Sequence, residues 1–189
     1  MGINLQKGQR ISLAKKGDTL SKLMVGLGWD PVEGAADDID CDAAVLMLNA
    51  EGKVTGRDNV IYFGNLLSKC DSVVHQGDNL TGEGEGDDEQ IMVELAKVPQ
   101  DIHKLVFMVT IYKCAQRKQH FGMISNAFIR LVNLSDNQEI SRFNLTEDYA
   151  GLASLIVGEI YRHNDEWKFA AIGQGSKDAS LNEIVKQYK

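Results

Sequence analysis

Residues 78–89 read Asp-Asn-Leu-Thr-Gly-Glu-Gly-Glu-Gly-Asp-Asp-Glu, six carboxylates and three glycines in twelve positions. No Lys or Arg occurs from Asp71 to Ala96 to offset them. Like charges at this density repel one another in any compact state, so the segment either stays disordered or folds around a cation. Interspersed glycines favour the second outcome, because they let the backbone turn sharply and bring its carbonyls toward an ion. Hard oxygen donors on a bendable loop suit Ca²⁺, with its six to eight loosely arranged ligands, better than octahedral Mg²⁺. The expectation is a calcium-binding protein.

The acid is concentrated. Residues 30–42 carry six acids and residues 71–96 carry eight, with no base in either window, while the other 150 residues carry 20 bases against 13 acids. A merely solvating surface is not so local, and a nucleic-acid binder needs the opposite sign, so no nucleic-acid partner is expected. At 189 residues with 43% hydrophobic content, the chain is expected to form a single domain spanning residues 1–189 with a sizeable core. Met1–Arg10 is polar and strand-like and does not resemble a signal peptide, and no run approaches the roughly 18–20 apolar residues of a membrane span. Three widely spaced cysteines, Cys41, Cys70 and Cys114, suit a reducing compartment, and none has a Cys or His at zinc-ligand spacing. The expected location is cytoplasmic or peripheral to the inner membrane.

The texture is of short β-type runs separated by Gly, Asn and Asp. Expected strands cover residues 10–14, 22–29, 42–48, 60–62, 91–94, 104–112, 127–133, 139–144, 155–162 and 167–173, with hairpin turns at Glu51-Gly52-Lys53 and Asp136-Asn137. Both prolines, Pro31 and Pro99, fall between apolar runs and read as turn residues. Helix signals are confined to a turn or two at 115–121 and to 180–188, where Leu181, Ile184, Val185 and Tyr188 follow a Ser cap. Ten strands with little helix predict a mostly β fold, a two-sheet antiparallel β-sandwich with a short C-terminal helix.

The second acidic window alternates: Asp38, Asp40 and Asp42 interleave with Ile39, Cys41 and Ala43. On an extended strand this places three carboxylates on one face, with i and i+2 roughly 6–7 Å apart, close enough to bracket one cation. The strand continues into Ala44-Val45-Leu46-Met47-Leu48, so the acids stand at one pole of a buried strand. The 78–89 loop is not an EF-hand. Asp78 and Glu89 fit its ends, but Leu80 and Gly82 fall where oxygens belong, Glu83 falls on the required glycine, and the flanks (Ser72-Val73-Val74-His75 and Ile91-Met92-Val93) look like strands. Nor does Gly82-x-Gly84-x-Gly86 suit a phosphate, which its acids repel.

The stretch from His75 through Gly77-Asp78-Asn79-Leu80-Thr81-Gly82 to Glu89 resembles the signature of the TerD family, the tellurium-resistance and stress-response proteins of bacteria. In the same order come Met24-Val-Gly-Leu-Gly-Trp-Asp30, Asp38-Ile-Asp-Cys-Asp-Ala43, Phe121 to Arg130, and Gly158 to Gly175 by way of Glu166-Trp-Lys-Phe169. The resemblance covers essentially the whole chain. It implies a β-sandwich that binds Ca²⁺ at one pole, with no catalytic centre, acting beside membrane and enzymatic partners in resistance to tellurite and other chemical stress. It carries over as metal ligands Asp38, Asp40, Asp42, Asp78, Asn79, Glu83, Glu85, Asp87, Asp88 and Glu89, with Thr81 and the glycines adding hydroxyl or carbonyl oxygens. So many donors exceed one ion's needs and imply two Ca²⁺ ions. Two positions depart from the family pattern: Glu85 stands where Asp is usual, and Ala44 where Ser is usual.

An enzymatic alternative is a metal-dependent hydrolase or a thiol enzyme handling tellurite. His75, His103, His120 and His163 are scattered without a triad partner, and the acids lack the aromatic-lined cleft of a paired-carboxylate hydrolase. Alternation places Cys41 opposite the acids, in the core. Trp29 and Trp167 are expected to pack the core, and Arg117-Lys118-Gln119-His120 to be a solvated turn. The leading expectation is a non-enzymatic module that docks onto protein partners when calcium is bound.

Overall fold

A computed structural model describes residues 2–15, 21–32, 39–77, 86–145 and 147–189. Twelve strands run in chain order: β1 Ile3–Leu5, β2 Arg10–Lys15, β3 Lys22–Pro31, β4 Cys41–Leu48, β5 Val60–Ile61, β6 Val73–His75, β7 Glu89–Glu94, β8 Lys104–Ile111, β9 Ile124–Asn133, β10 Gln138–Asn144, β11 Ser154–His163 and β12 Glu166–Ser176. Two helices complete the inventory, α1 Cys114–Arg117 and α2 Leu181–Gln187. The strands form two six-stranded sheets, β1-β10-β9-β3-β7-β6 and β2-β12-β11-β8-β4-β5. All neighbours are antiparallel except β1 and β10, which pair Ile3 with Ser141 in parallel. The predicted mostly-β two-sheet sandwich with a short C-terminal helix is the fold observed.

Alternation decides which side chains meet. On β3, Leu23, Val25, Leu27 and Trp29 point between the sheets and are buried; on β4, Cys41, Ala43, Val45 and Met47 answer them. Apolar transfer makes this shared core the main favourable term in folding. The even residues of β4, Ala44, Leu46 and Leu48, face outward and are covered by Ile184 of α2, flanked by Leu181, Val185 and Tyr188. The helix starts where the sequence predicts: Ser180 is its N-cap, and its hydroxyl accepts the Glu183 N–H at 3.4 Å. Trp29 and Trp167 are core residues, as expected.

One detail differs from the expectations and two refine them. Pro31 is not a turn residue: it ends β3 and pairs with Ile124 of β9. That is admissible because β7 pairs with β3 only as far as Leu27, so the side of the strand that the Pro31 nitrogen faces has no ladder bond to lose. Ile3–Leu5 and Val73–His75 are full sheet members although each is only three residues long. The region 115–121 splits into the single-turn α1 and a 3-10 turn at Phe121–Met123.

Candidate metal centre

The two acidic windows meet at one pole of the sandwich. There β3 ends at Asp30-Pro31, β4 begins at Cys41, β6 ends at His75 and β7 begins at Glu89. Ile39, Cys41 and Ala43 point into the core, and Asp40 and Asp42 point the other way, each only 8% exposed. The alternation predicted for this strand holds across its described residues. The Asp40 carbonyl accepts the Tyr112 N–H at 2.8 Å, and Asp42 lies opposite Thr110 of β8.

From the other window, Glu89 reaches across to β4. Its Oε2 accepts the Ala43 N–H at 2.6 Å, and His75 Nε2 lies 3.2 Å from the Ala43 carbonyl and 3.3 Å from Glu89 Oε2. The cause is the shortness of β5, which pairs only with Val45 and Leu46. The backbone of Ala43 runs on past it, and a buried N–H and C=O must find partners. Glu89 and His75 supply an acceptor and a donor in place of a strand. His75 Nδ1 accepts the Gly77 N–H at 3.2 Å, so these partners assign the ring proton to Nε2.

Asp88 turns toward β3. Its Oδ2 accepts the Trp29 N–H at 2.7 Å, and its own N–H donates to the Leu27 carbonyl at 2.8 Å. Burial raises its carboxyl above the usual carboxylate range; the Trp29 N–H opposes this, and the charges of Asp30 and Asp87 add to it. Asp87 faces elsewhere. Both of its oxygens are held by Arg130, at 2.7 Å from Nε and 2.9 Å from Nη2, over the outer face of β3. Gly26 lies directly beneath, where any Cβ would collide with the Asp87 carboxylate. Asp87 is thus a strut between β7 and β9, and a distant base supplies the countercharge that its local sequence lacks.

The crowding is felt at Cys41. Burial first, then the charges of Asp42, Asp40, Glu89 and Asp88, push its thiol well above its ordinary value. Four carboxylates from windows more than forty residues apart therefore act on one sulfur atom. Among the described residues, no three His, Cys, Asp or Glu side chains are grouped to hold an ion by themselves. Asp38, Asp78, Asn79, Thr81, Glu83 and Glu85 lie outside the described residues. The carboxylates of Asp40, Asp42 and Asp88 at the pole are hard oxygen donors, which fit Ca²⁺ in kind.

His75 and Arg130 are the functional-site residues that sequence reasoning passed over. Nothing in periodicity marks Arg130 as the partner of Asp87, although both fall within stretches that carry the family resemblance. The buried clip made by His75 has one signal in the sequence, its place three residues ahead of Asp78.

The TerD domain family model matches residues 1–188. The chain is 57% identical to stress response protein SCP2 of Bacillus subtilis (strain 168), with each chain covered in full. It is 46% identical to tellurium resistance protein TerD of Serratia marcescens, over 100% of this chain and 97% of the other. A crystallised homologue of telluride resistance protein (TerD) from Streptomyces coelicolor A3(2) superposes with a TM-score of 0.69, at 20% identity over 90% of this chain and 98% of that one. On sequence over its whole length and on fold, the chain belongs to the TerD family of tellurium-resistance and stress-response proteins.

Proposed function

We propose that this protein is a non-enzymatic Ca²⁺-binding module of the stress response whose acidic pole takes one shape when calcium is bound and offers that shape to a protein partner. One observation carries the reading: Asp40 and Asp42 from one window and Asp88 and Glu89 from the other stand at the same pole, where the Glu89 carboxylate holds the Ala43 N–H and all four charges are felt at Cys41. A divalent ion placed among neighbouring carboxylates lowers their mutual repulsion. The ligands best placed are Asp40, Asp42 and Asp88, completed by Asp38 and by oxygens of residues 78–85. Asp87 and Glu89 serve as supports, because Arg130 and Ala43 already hold them. Such supports fix the loop ends, as partners of metal ligands generally do. His75 sits in the same supporting layer, buried and engaged at both ring nitrogens, which favours a binding role over acid–base catalysis.

Calcium that binds the folded pole and not the unfolded chain adds about 2.7 kcal/mol at a hundredfold excess over Kd. It also shifts the loops toward one conformer, the condition for calcium-dependent partner choice. Calorimetric titration of chelator-stripped protein tests the reading. Saturable uptake of about two Ca²⁺ per chain is expected, with Mg²⁺ far weaker and Asp40→Asn or Asp88→Asn reducing affinity at least about tenfold. Hydrogen exchange across residues 78–90 should slow when calcium is added. No heat, no change in melting temperature and no change in exchange would overturn the proposal.

A further inference from the structure

Helix α2 covers only part of the outer face of its sheet, and beside it lies a cavity of about 1080 Å³. That volume is just above the usual range of small-molecule sites, which are concave, mainly apolar and furnished with a few polar groups. Its floor is the outward face of β4, β5 and β8, with Ala44, Val60 and Thr110, and its wall is Leu181 and Val185 of α2. One end is aromatic. Tyr62 and Phe63 meet edge to face at 5.2 Å, and Phe63 meets Tyr112 in the same way at 6.4 Å. Phe63 is 44% exposed and Tyr112 38%, unusual values for large rings that already have each other as neighbours.

Charged side chains stand at both ends. The β4–β5 register, Leu46 with Val60 and Val45 with Ile61, carries Phe63 toward the acidic pole and Arg57 toward the opposite end. Asp42 and Lys113 line the aromatic end, with Lys113 Nζ 5.0 Å from the centroid of the Tyr112 ring. Arg57 lines the other, as does Lys189, whose chain is anchored there by the Val54 N–H donating to the Tyr188 carbonyl at 2.7 Å. Neither Arg57 nor Lys189 makes a side-chain ion pair among the described residues. Asp58 lines this end as well, so the cavity carries three basic side chains, Arg57, Lys113 and Lys189, against the acidic Asp42 and Asp58, and two of the three bases stand at the end away from the rings.

We propose that this cavity binds a small aromatic anion: a planar ring packed on Phe63 and Tyr112, with an acidic group directed to Arg57 and Lys189 and away from Asp42. Ring edges and faces at the one end suit stacking, and guanidinium and ammonium donors at the other suit an oxyanion. The site is separate from the proposed calcium ligands in all but Asp42, and its test needs no metal.

The probe is 1-anilinonaphthalene-8-sulfonate, titrated into the full chain in chelator, with its uncharged analogue N-phenyl-1-naphthylamine in parallel. Saturable fluorescence enhancement at one site per chain is expected. Phe63→Ala and Tyr112→Ala should each weaken binding by up to about tenfold, as lost ring packing predicts. Arg57→Ala should weaken it by about fivefold, the upper part of what an exposed ion pair supplies. Leu134→Ala, which removes an equally exposed apolar side chain elsewhere, should leave binding unchanged. Circular dichroism and melting temperature establish that each variant is folded; where Tyr112→Ala is not, Tyr112→Leu replaces it. The proposal is overturned by non-saturating enhancement, by equal binding in all variants, or by the uncharged analogue binding as tightly as the sulfonate.

Discussion

The Glu89 carboxylate accepts the backbone N–H of Ala43 at 2.6 Å, joining the start of β7 in one sheet to the start of β4 in the other. With His75 it takes over the hydrogen bonding that a longer β5 would have supplied. Replacing Glu89 by Ala leaves the buried Ala43 N–H without its acceptor, at about 1–3 kcal/mol, and removes a contact of His75, whose ring keeps the Ala43 carbonyl and the Gly77 N–H. Glu89→Ala should therefore lose about 1–3 kcal/mol in urea unfolding. Glu89→Gln, which keeps an oxygen for Ala43, should recover at least half. Equal losses in the two variants would mean that the bond to Ala43 is incidental.

Asp87 and Arg130 make the second tie at this pole, and the Asp87 side chain is fully buried while that of Arg130 is 28% exposed. Removing the base strands a buried charge, which is costlier than losing the attraction itself. Arg130→Met should destabilise by about 2–4 kcal/mol, and the double variant Arg130→Met/Asp87→Asn by less. Gly26→Ala should destabilise as well, since its methyl group needs the place of the Asp87 carboxylate. Denaturant unfolding of the four proteins checks the set; a double variant worse than Arg130→Met would refute the account.

Asp88 has a pH signature. Its folded-state pKa lies above its ordinary value of 3.8, chiefly through burial. The folded state therefore holds the proton more tightly than the unfolded chain, so this group costs stability above its raised pKa, and the cost disappears as pH falls through it toward 3.8. In chelator at neutral pH, Asp88→Asn should melt slightly higher than the wild type, while keeping an oxygen for the Trp29 N–H. The advantage should vanish at acidic pH, and it should reverse at neutral pH once calcium saturates the wild type. A variant that melts lower than wild type under every condition would remove Asp88 from the carboxylates under strain.

The three cysteines should separate cleanly by alkylation. Cys70 is partly exposed; burial acts to raise its pKa, but hydrogen bonds from Ser68 and Ser72 outweigh that and hold it below its ordinary 9.0. Cys41 is fully buried with its thiol pushed far up, and Cys114 is buried. Thiolate is the reactive form. Iodoacetamide at pH 8 should label Cys70 first by mass spectrometry, and Ser68→Ala/Ser72→Ala should move its pH–rate profile upward. Labelling of Cys41 ahead of Cys70 in folded protein would contradict this order.

Much of the architecture is legible in local pattern. The alternation of Ile39, Cys41 and Ala43 with the aspartates fixes which face of β4 enters the core, and the Ser180 cap with Leu181, Ile184 and Val185 fixes the amphipathic α2. Density of acid without base marks residues 30–42 and 71–96 as one electrostatic problem, and both windows do reach the same pole. Pro31 was misread because its tolerance depends on standing at the end of β3, where it pairs with Ile124. The parallel pairing of β1 with β10 has no local signal at all.

The sequence by itself determined faces, caps and the charge imbalance, because these depend on a residue and its near neighbours along the chain. Tertiary structure alone decided partners: that Arg130 answers Asp87, that Glu89 and His75 stand in for strand at Ala43, and that a helix of seven residues leaves a cavity beside it. A two-residue period says which side of a sheet a carboxylate occupies, but the register between strands forty or more residues apart sets what it meets there.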